Sequence, residues 1–481
     1  MSLAVLGVLV LNLLFLLAGS GILWGVRGWT DWREFGALGG VAYVSGLSTV
    51  SAIATLVPIW GGSLSGGVIV GIAAAVGAAG LAIGIAKRRP LPRRVDSWAL
   101  GDLSMVVPTA LAGVCAALLA SFFRAARSSP LTAWDAWAFW MTKAKAIYFF
   151  GGLDPMYFRQ LWGQSYPLLV PTLAAMNFRF MGSANTTALG VQWWLLAVAF
   201  VWAGAGLLRR IAPATPTWIF LTLFVALPQL DARLLERKAD WPLDIFFALS
   251  ACALLGWILT DEAWLLAVYG ATLSATLLTK REGQLLAVCL VVAGLVTAGI
   301  RSRRAWLGVA GVALLAYLPG IPWRIWWTSR HLASDAPPGG LLHATFRNIG
   351  QAPAAFHLVF RLLFEYDLWL AATPVAIVAA LLCLRFDDRR VAVFFLVAFT
   401  LGFVGWAWEN WAYVSPSLPI STNPAVNPTN RTVASLVLLS ILSAPVLLGQ
   451  LLTRRRVATT ADRALLLANT TGSASASATT P

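Results

Sequence analysis

Long apolar runs, broken by short polar intervals, cover almost the whole chain. Uncharged stretches near 20 residues recur, the length a helix needs to cross about 30 Å of hydrocarbon. They predict about 13 spans, at 3–24, 37–59, 65–86, 98–123, 187–208, 214–230, 243–260, 263–279, 283–300, 305–321, 369–384, 391–408 and 432–452. The run from Leu3 to Trp24 is too long for a signal-peptide core and has no basic residue before it, so it is read as a helix. The first long break is 131–171. There Trp134, Trp137 and Trp140 recur every third residue, Asp135 sits among them, and Lys143 and Lys145 follow. This spacing predicts a short helix along the membrane surface, indoles on one side and charges on the other. No internal repeat is evident.

Composition fixes the class that the pattern implies. Hydrophobic residues are 59% and charged residues 11%, with mean hydropathy +0.76; a soluble domain carries about 25% charged residues. The reading is an all-α polytopic membrane protein with short interfacial helices in its external loops. Cys115, Cys252, Cys289 and Cys383 fall inside expected spans, so neither a disulfide framework nor a thiolate metal site is implied. The 24 Trp suit interfacial belts or sugar stacking.

The net charge of +15 would point to nucleic acid in a soluble protein; here it reports topology, and no nucleic-acid partner is expected. The tight basic clusters are Lys87–Arg89 with Arg93–Arg94, Arg209–Arg210, Arg301 with Arg303–Arg304, Arg385 with Arg389–Arg390, and Arg454–Arg456. Counting spans puts all of them on one side, which the positive-inside rule makes cytoplasmic. The turn Asp261–Glu262 lies there too, but acids count little in that rule. The N-terminus and the loops 124–186, 231–242, 322–368 and 409–431 then face outward, with the turn Lys280–Glu282. The low-complexity stretch 456–481 reads as a disordered cytoplasmic tail. Close to half of the 35 Lys and Arg lie on the external side, mixed with acids at helix ends. Charge so placed points to a site at the outer membrane surface; a conduction pathway calls for ionisable groups at mid-depth.

Three external clusters could carry chemistry. Asp135 either completes a capping box begun by Thr132 or serves as a general base partly desolvated by lipid, and the two roles are compatible. Asp240 and Asp244, four residues apart on one helix face, either stabilise a helix start with Pro242 or place a second carboxylate opposite Asp135. Lys280, Arg281 and Glu282 either reach the headgroups or meet a phosphate-bearing partner. Beyond these, Trp323, Arg324, Trp326 and Trp327 form an aromatic belt or a sugar platform, and Arg431 could reach an anion at the start of the last span. His331, His343 and His357 lack a carboxylate and the spacing of a metal site; no metal ligation or cofactor is read from them. The sequons at Asn185, Asn430 and Asn469 are given no role.

These clusters resemble those of GT-C fold membrane glycosyltransferases, bacterial members related to the dolichyl- or polyprenyl-phosphate-sugar-dependent mannosyl- and arabinosyltransferases. The similar elements are Trp134-Asp135-Ala136-Trp137 with Lys143 and Lys145, Tyr166-Pro167 through Pro171, Ala239-Asp240 with Pro242, Thr279-Lys280 with Glu282-Gly283, and Pro322-Trp323. The resemblance covers roughly 98–452. It implies three accessory N-terminal helices in 1–97, a transmembrane catalytic module in 98–455, and the tail. It further implies a cell-membrane enzyme, active on the external or periplasmic face, that moves a hexose or pentose from a polyprenyl-phosphate donor to a glycan, lipid or protein acceptor hydroxyl with inversion. Asp135 would be the base, with Asp240 and Glu282 as further catalytic acids. Lys143, Lys145, Tyr166, Lys280, Arg281, Arg324 and Arg431 would bind substrate. Many relatives carry two adjacent acids in the first external loop, whereas Asp135 stands between Trp134 and Ala136. The alternatives are a transporter or flippase for lipid-linked sugars and a polymerase or ligase of surface polysaccharide.

Overall fold

The computed structural model describes residues 2–93, 103–299, 302–334, 337, 339–385, 388–413 and 429–453. In chain order the helices are α1 (Leu3–Val26), α2 (Trp32–Ile59), α3 (Gly66–Ala86), α4 (Val106–Ser128), α5 (Met141–Phe150), α6 (Leu169–Met181), α7 (Gly190–Leu208), α8 (Ala214–Val225), α9 (Leu230–Glu236), α10 (Asp240–Thr260), α11 (Ala263–Thr279), α12 (Glu282–Gly299), α13 (Arg303–Tyr317), α14 (Ile321–Ser329), α15 (Gly340–Arg347), α16 (Ala352–Leu363), α17 (Ala372–Cys383), α18 (Arg390–Tyr413) and α19 (Thr429–Thr453), with single-turn pieces between some of them. No strand occurs among the described residues. In hydrocarbon a backbone amide has no water to bond, and a helix satisfies its groups internally.

Among the described residues ten helical stretches, α13 and α14 running together as one, are long and apolar enough to cross a membrane. Counting α8 and α9, bent by 58°, as one broken span makes 11. Every expected span overlaps a helix, but α11 and α17 are shorter than a full crossing, at 17 and 12 residues. The chain is an all-helical, polytopic membrane protein. The expected boundary near 97 and the tail 456–481 lie outside the described residues, as do Arg94, Arg301, Asp335 and Arg454–Arg456.

Lipid tails are as apolar as leucine, so helices in a membrane associate through close contact and polar bonds. Both devices hold the N-terminal helices. A Cβ on Gly19 would sit 1.7 Å from the Ala42 carbonyl oxygen, and one on Gly46 would sit 1.9 Å from that of Phe15, so only glycine lets α1 and α2 approach this closely. Inside the bundle, Asn12 Nδ2 donates to Gln192 Oε1 at 2.9 Å and Tyr43 Oη donates to Asn12 Oδ1 at 2.5 Å. Asn177 Nδ2 donates to the same Gln192 oxygen at 3.1 Å, joining α1, α2, α6 and α7. At the other end Glu34 pairs with Arg27 and Arg210, and Arg210 pairs also with Glu262. One continuous apolar core runs from α1 to α19.

The interval 124–186, expected as an external loop, holds an unforeseen element. Helix α6 is 13 residues long, and most of its side chains are fully buried against neighbouring helices. Its run is too short to read as a crossing.

Replacing Gly46 with Val should lower the thermal unfolding midpoint of the detergent-purified protein, since overpacking typically costs about 1–3 kcal/mol. A melt indistinguishable from wild type would show that the glycine contact does not set the α1–α2 spacing.

Candidate functional site

Four helix ends meet around Asp240, and each contributes a charge. Asp135 opens a π-helical turn, Asp135–Trp140, that leads into α5. Such a turn widens the hydrogen-bond spacing and shifts every later side chain around the helix. The three indoles therefore do not share one face: Trp134 and Trp137 are 54% and 52% exposed, whereas Trp140 is buried. No side-chain cap closes this helix start among the described residues, so the capping box expected from Thr132 is not formed. The Asp135 carboxylate instead accepts from Arg431 Nη1 at 2.5 Å.

Arg431, in the first turn of α19, also lies 3.7 Å from Asp240 Oδ2. Asp240 begins α10 and accepts from Lys280 Nζ at 2.9 Å; the same ammonium lies 2.6 Å from Glu282 Oε1 at the start of α12. The result is a row of alternating charge, Asp135–Arg431–Asp240–Lys280–Glu282. Asp240 and Glu282 stand in first helical turns, where unpaired amides and the helix dipole favour an anion. Lys280 is extended backbone (φ −153°, ψ 160°) in the break between α11 and α12. Gly283 holds that break tight: a Cβ there would fall 2.0 Å from the Thr276 carbonyl oxygen.

Burial grades along the row. The side chains of Asp240, Glu282 and Lys280 are 5%, 8% and 11% exposed, Arg431 17% and Asp135 35%. The buried members are tolerable in a low-dielectric setting only because each faces an opposite charge. Burial alone would lower the Lys280 pKa, but the carboxylates of Asp240 and Glu282 outweigh it and hold the ammonium above its ordinary value. Burial, and then the Glu282 charge, push the Tyr166 phenol up, so it stays neutral. Asp135 is the most exposed acid of the row.

The row adjoins a cavity of about 210 Å³ through Arg281, the residue between Lys280 and Glu282. Its guanidinium lies 5.5 Å from the Tyr166 ring centre and 5.7 Å from that of Tyr413, and donates to the Tyr413 hydroxyl at 2.6 Å. Arg281 Nη1 is buried with no hydrogen-bond partner in the described structure. Across the cavity Arg324 donates to the Tyr317 hydroxyl at 2.6 Å and to Gln284 Oε1 at 3.2 Å. Trp323 and Trp327 complete that wall. Two guanidinium groups beside indole faces suit a ligand with an anionic group and a flat apolar or sugar face.

Of the ten residues expected at a site, Asp135, Asp240, Glu282, Lys280 and Arg431 form the row, and Arg281, Tyr166 and Arg324 lie at or beside the cavity. Lys143 and Lys145 do not join them in any described ion pair. Lys143 is fully buried, donates to the Gly163 carbonyl and lies 4.2 Å from the Phe139 ring centre, which ties down the 131–166 segment. Lys145 is exposed. Sequence reasoning missed Arg233 of α9, which is buried within electrostatic reach of Asp244 and Asp240, donates to the Asn430 carbonyl at 2.7 Å and lies 5.5 Å from the Trp369 ring centre. It also missed Gln284 and Tyr413. Gln284 follows the Lys280–Glu282 cluster as an uncharged residue, whereas Arg233 and Tyr413 reach their partners only through the fold. No group of three or more His, Cys, Asp or Glu among the described residues is arranged to hold a metal. Between the acids the structure places Lys280 and Arg431. No family model, no curated protein and no solved structure matches the chain.

Lys280→Met would leave Glu282 buried without its cation and Asp240 with only the 3.7 Å contact to Arg431, and should destabilise the protein by about 3–5 kcal/mol, read as a lower melting midpoint. Lys280→Arg should recover most of the loss. Because the folded pKa of Lys280 exceeds its ordinary 10.5, this contribution is complete below that pH and is lost only as pH rises past the folded value. Wild type should therefore lose no stability through Lys280 between pH 6 and pH 9. Equal melts for Lys280→Met and wild type would contradict the ion pairs.

Proposed function

We propose that the protein is a glycosyltransferase that moves a sugar from a polyprenyl-phosphate donor to an acceptor hydroxyl at the membrane surface, with inversion. The observation that carries the reading is the gradient of the charge row: the most exposed carboxylate, Asp135, stands at the end of a buried row of ion pairs that leads to an arginine-lined cavity. Asp135 takes the proton from the acceptor hydroxyl as that oxygen bonds to the anomeric carbon. The bond from the anomeric carbon to the phosphate oxygen breaks, and its electron pair leaves with the polyprenyl phosphate. Arg281, whose buried Nη1 has no hydrogen-bond partner among the described residues, and Arg324 take up the charge that grows on the phosphate. Arg431 orients the Asp135 carboxylate, and Asp240, Lys280 and Glu282 fix Arg431 and the α11–α12 break.

The charges of the row sit at helix ends rather than at mid-depth, which favours surface chemistry over passage across the bilayer. The membrane location is common to every reading; donor, acceptor class and sidedness belong to this proposal.

Membranes containing the protein, incubated with a panel of polyprenyl-phosphate pentoses and hexoses, should release polyprenyl phosphate as sugar is transferred. Asp135→Asn should lower the turnover by about 10²–10⁴-fold, the contribution of a positioned base, with little change in the melting midpoint. Full transfer by Asp135→Asn would remove Asp135 from the chemistry.

A further inference from the structure

A second feature lies at the far end of the bundle. Helix α10 separates the two, with Asp240 at its start and Thr260 beside the Glu262–Arg210 pair at its end; its 21 residues span about 30 Å. At this end a groove of about 500 Å³ opens between α4, α7 and α8. Its walls are apolar, from Met105, Cys115 and Leu119 on α4 and its start to Val198 and Trp202 on α7 and Trp218 on α8. Most of α4 is exposed along its length, so the groove faces lipid rather than another helix.

Its length and its head name the occupant. From Arg209 to Val198 along α7 is about 16 Å, and from Met105 to Leu119 about 21 Å; one leaflet of hydrocarbon is about 15 Å deep. The groove therefore starts at one interface and ends near the bilayer centre. At the interfacial end stands Arg209, exposed, with no side-chain hydrogen bond or ion pair among the described residues. Its neighbour Arg210 is held by Glu34 and Glu262. Arg209 is on the same face as the Lys87–Arg89 cluster, by the order of the spans, and the leaflet there is met by basic side chains. Anionic headgroups gain about 1 kcal/mol from each Lys or Arg near the surface. A polyprenyl chain is longer than a groove one leaflet deep, and a zwitterionic head, whose own ammonium offsets its phosphate, gains less from the guanidinium than a net-anionic one.

We propose that this groove is a binding site for an anionic phospholipid, with one acyl chain between α4, α7 and α8 and its phosphate on Arg209. The site is separate from the charge row and does not depend on the transferase reading. The test uses the full chain in mild detergent, titrated with equal amounts of palmitoyl-oleoyl phosphatidylglycerol and phosphatidylcholine and read by native mass spectrometry. Phosphatidylglycerol should be retained with about fivefold preference. Arg209→Gln should erase the preference, and Ala205→Trp, which fills the groove, should remove retention of both lipids. Should Ala205→Trp fail to fold, Ala116→Leu on the facing helix should give the same loss. Equal retention of the two lipids by wild type, an unchanged preference in Arg209→Gln, or displacement of phosphatidylglycerol by equimolar polyprenyl phosphate would overturn the proposal.

Discussion

A lysine ammonium buried between two carboxylates is the interaction on which the rest depends. Lys280 holds Asp240 of α10 and Glu282 of α12 at once, 2.9 and 2.6 Å away. In a low-dielectric setting an unpaired buried charge is costly, and here each of the three faces an opposite one. Their pairing therefore fixes how the α11–α12 break meets the start of α10, and Arg431 extends the same logic to Asp135. Gly283 is part of the condition, since a side chain there would part α11 from α12 and carry Lys280 with it.

That constraint gives the site its division of labour. The inner charges are spent on one another and hold position. Asp135 remains at the accessible end, and Arg281 keeps a buried N–H group at the cavity that has no partner among the described residues. The proposed transfer would draw on both ends, Asp135 for the proton and Arg281 for the departing phosphate, with the groups between them holding position. The opposite end of α10 is locked by the Glu34, Arg210 and Glu262 pairs, and Arg209 beside them is left exposed.

Much of the architecture was legible because lipid imposes a simple rule: apolar runs of the right length become helices, and each expected span overlaps one. The charges at these helix ends were legible as a group for the same reason, since few other polar residues surround them. What stayed hidden needed tertiary structure. The π-turn at Asp135 breaks the three-residue rhythm of the tryptophans, and periodicity cannot show an inserted turn. Helix α6 is buried by protein rather than lipid, so its 13 residues looked like loop. Lys143 looked like a surface cation but is enclosed by its own loop and stacked on Phe139. Arg233 acquires its place only when α9 folds back beside Asp240 and Asp244.

The central claim is that the row acts as one coupled unit through Asp240. A double-mutant cycle on Arg431→Gln and Lys280→Gln, followed by thermal unfolding of the four proteins, measures this directly. Both side chains lean on the same carboxylate, so their losses should depart from additivity by more than about 1 kcal/mol. Additivity within about 0.5 kcal/mol would mean that the two cations act independently and that the row is a set of separate pairs.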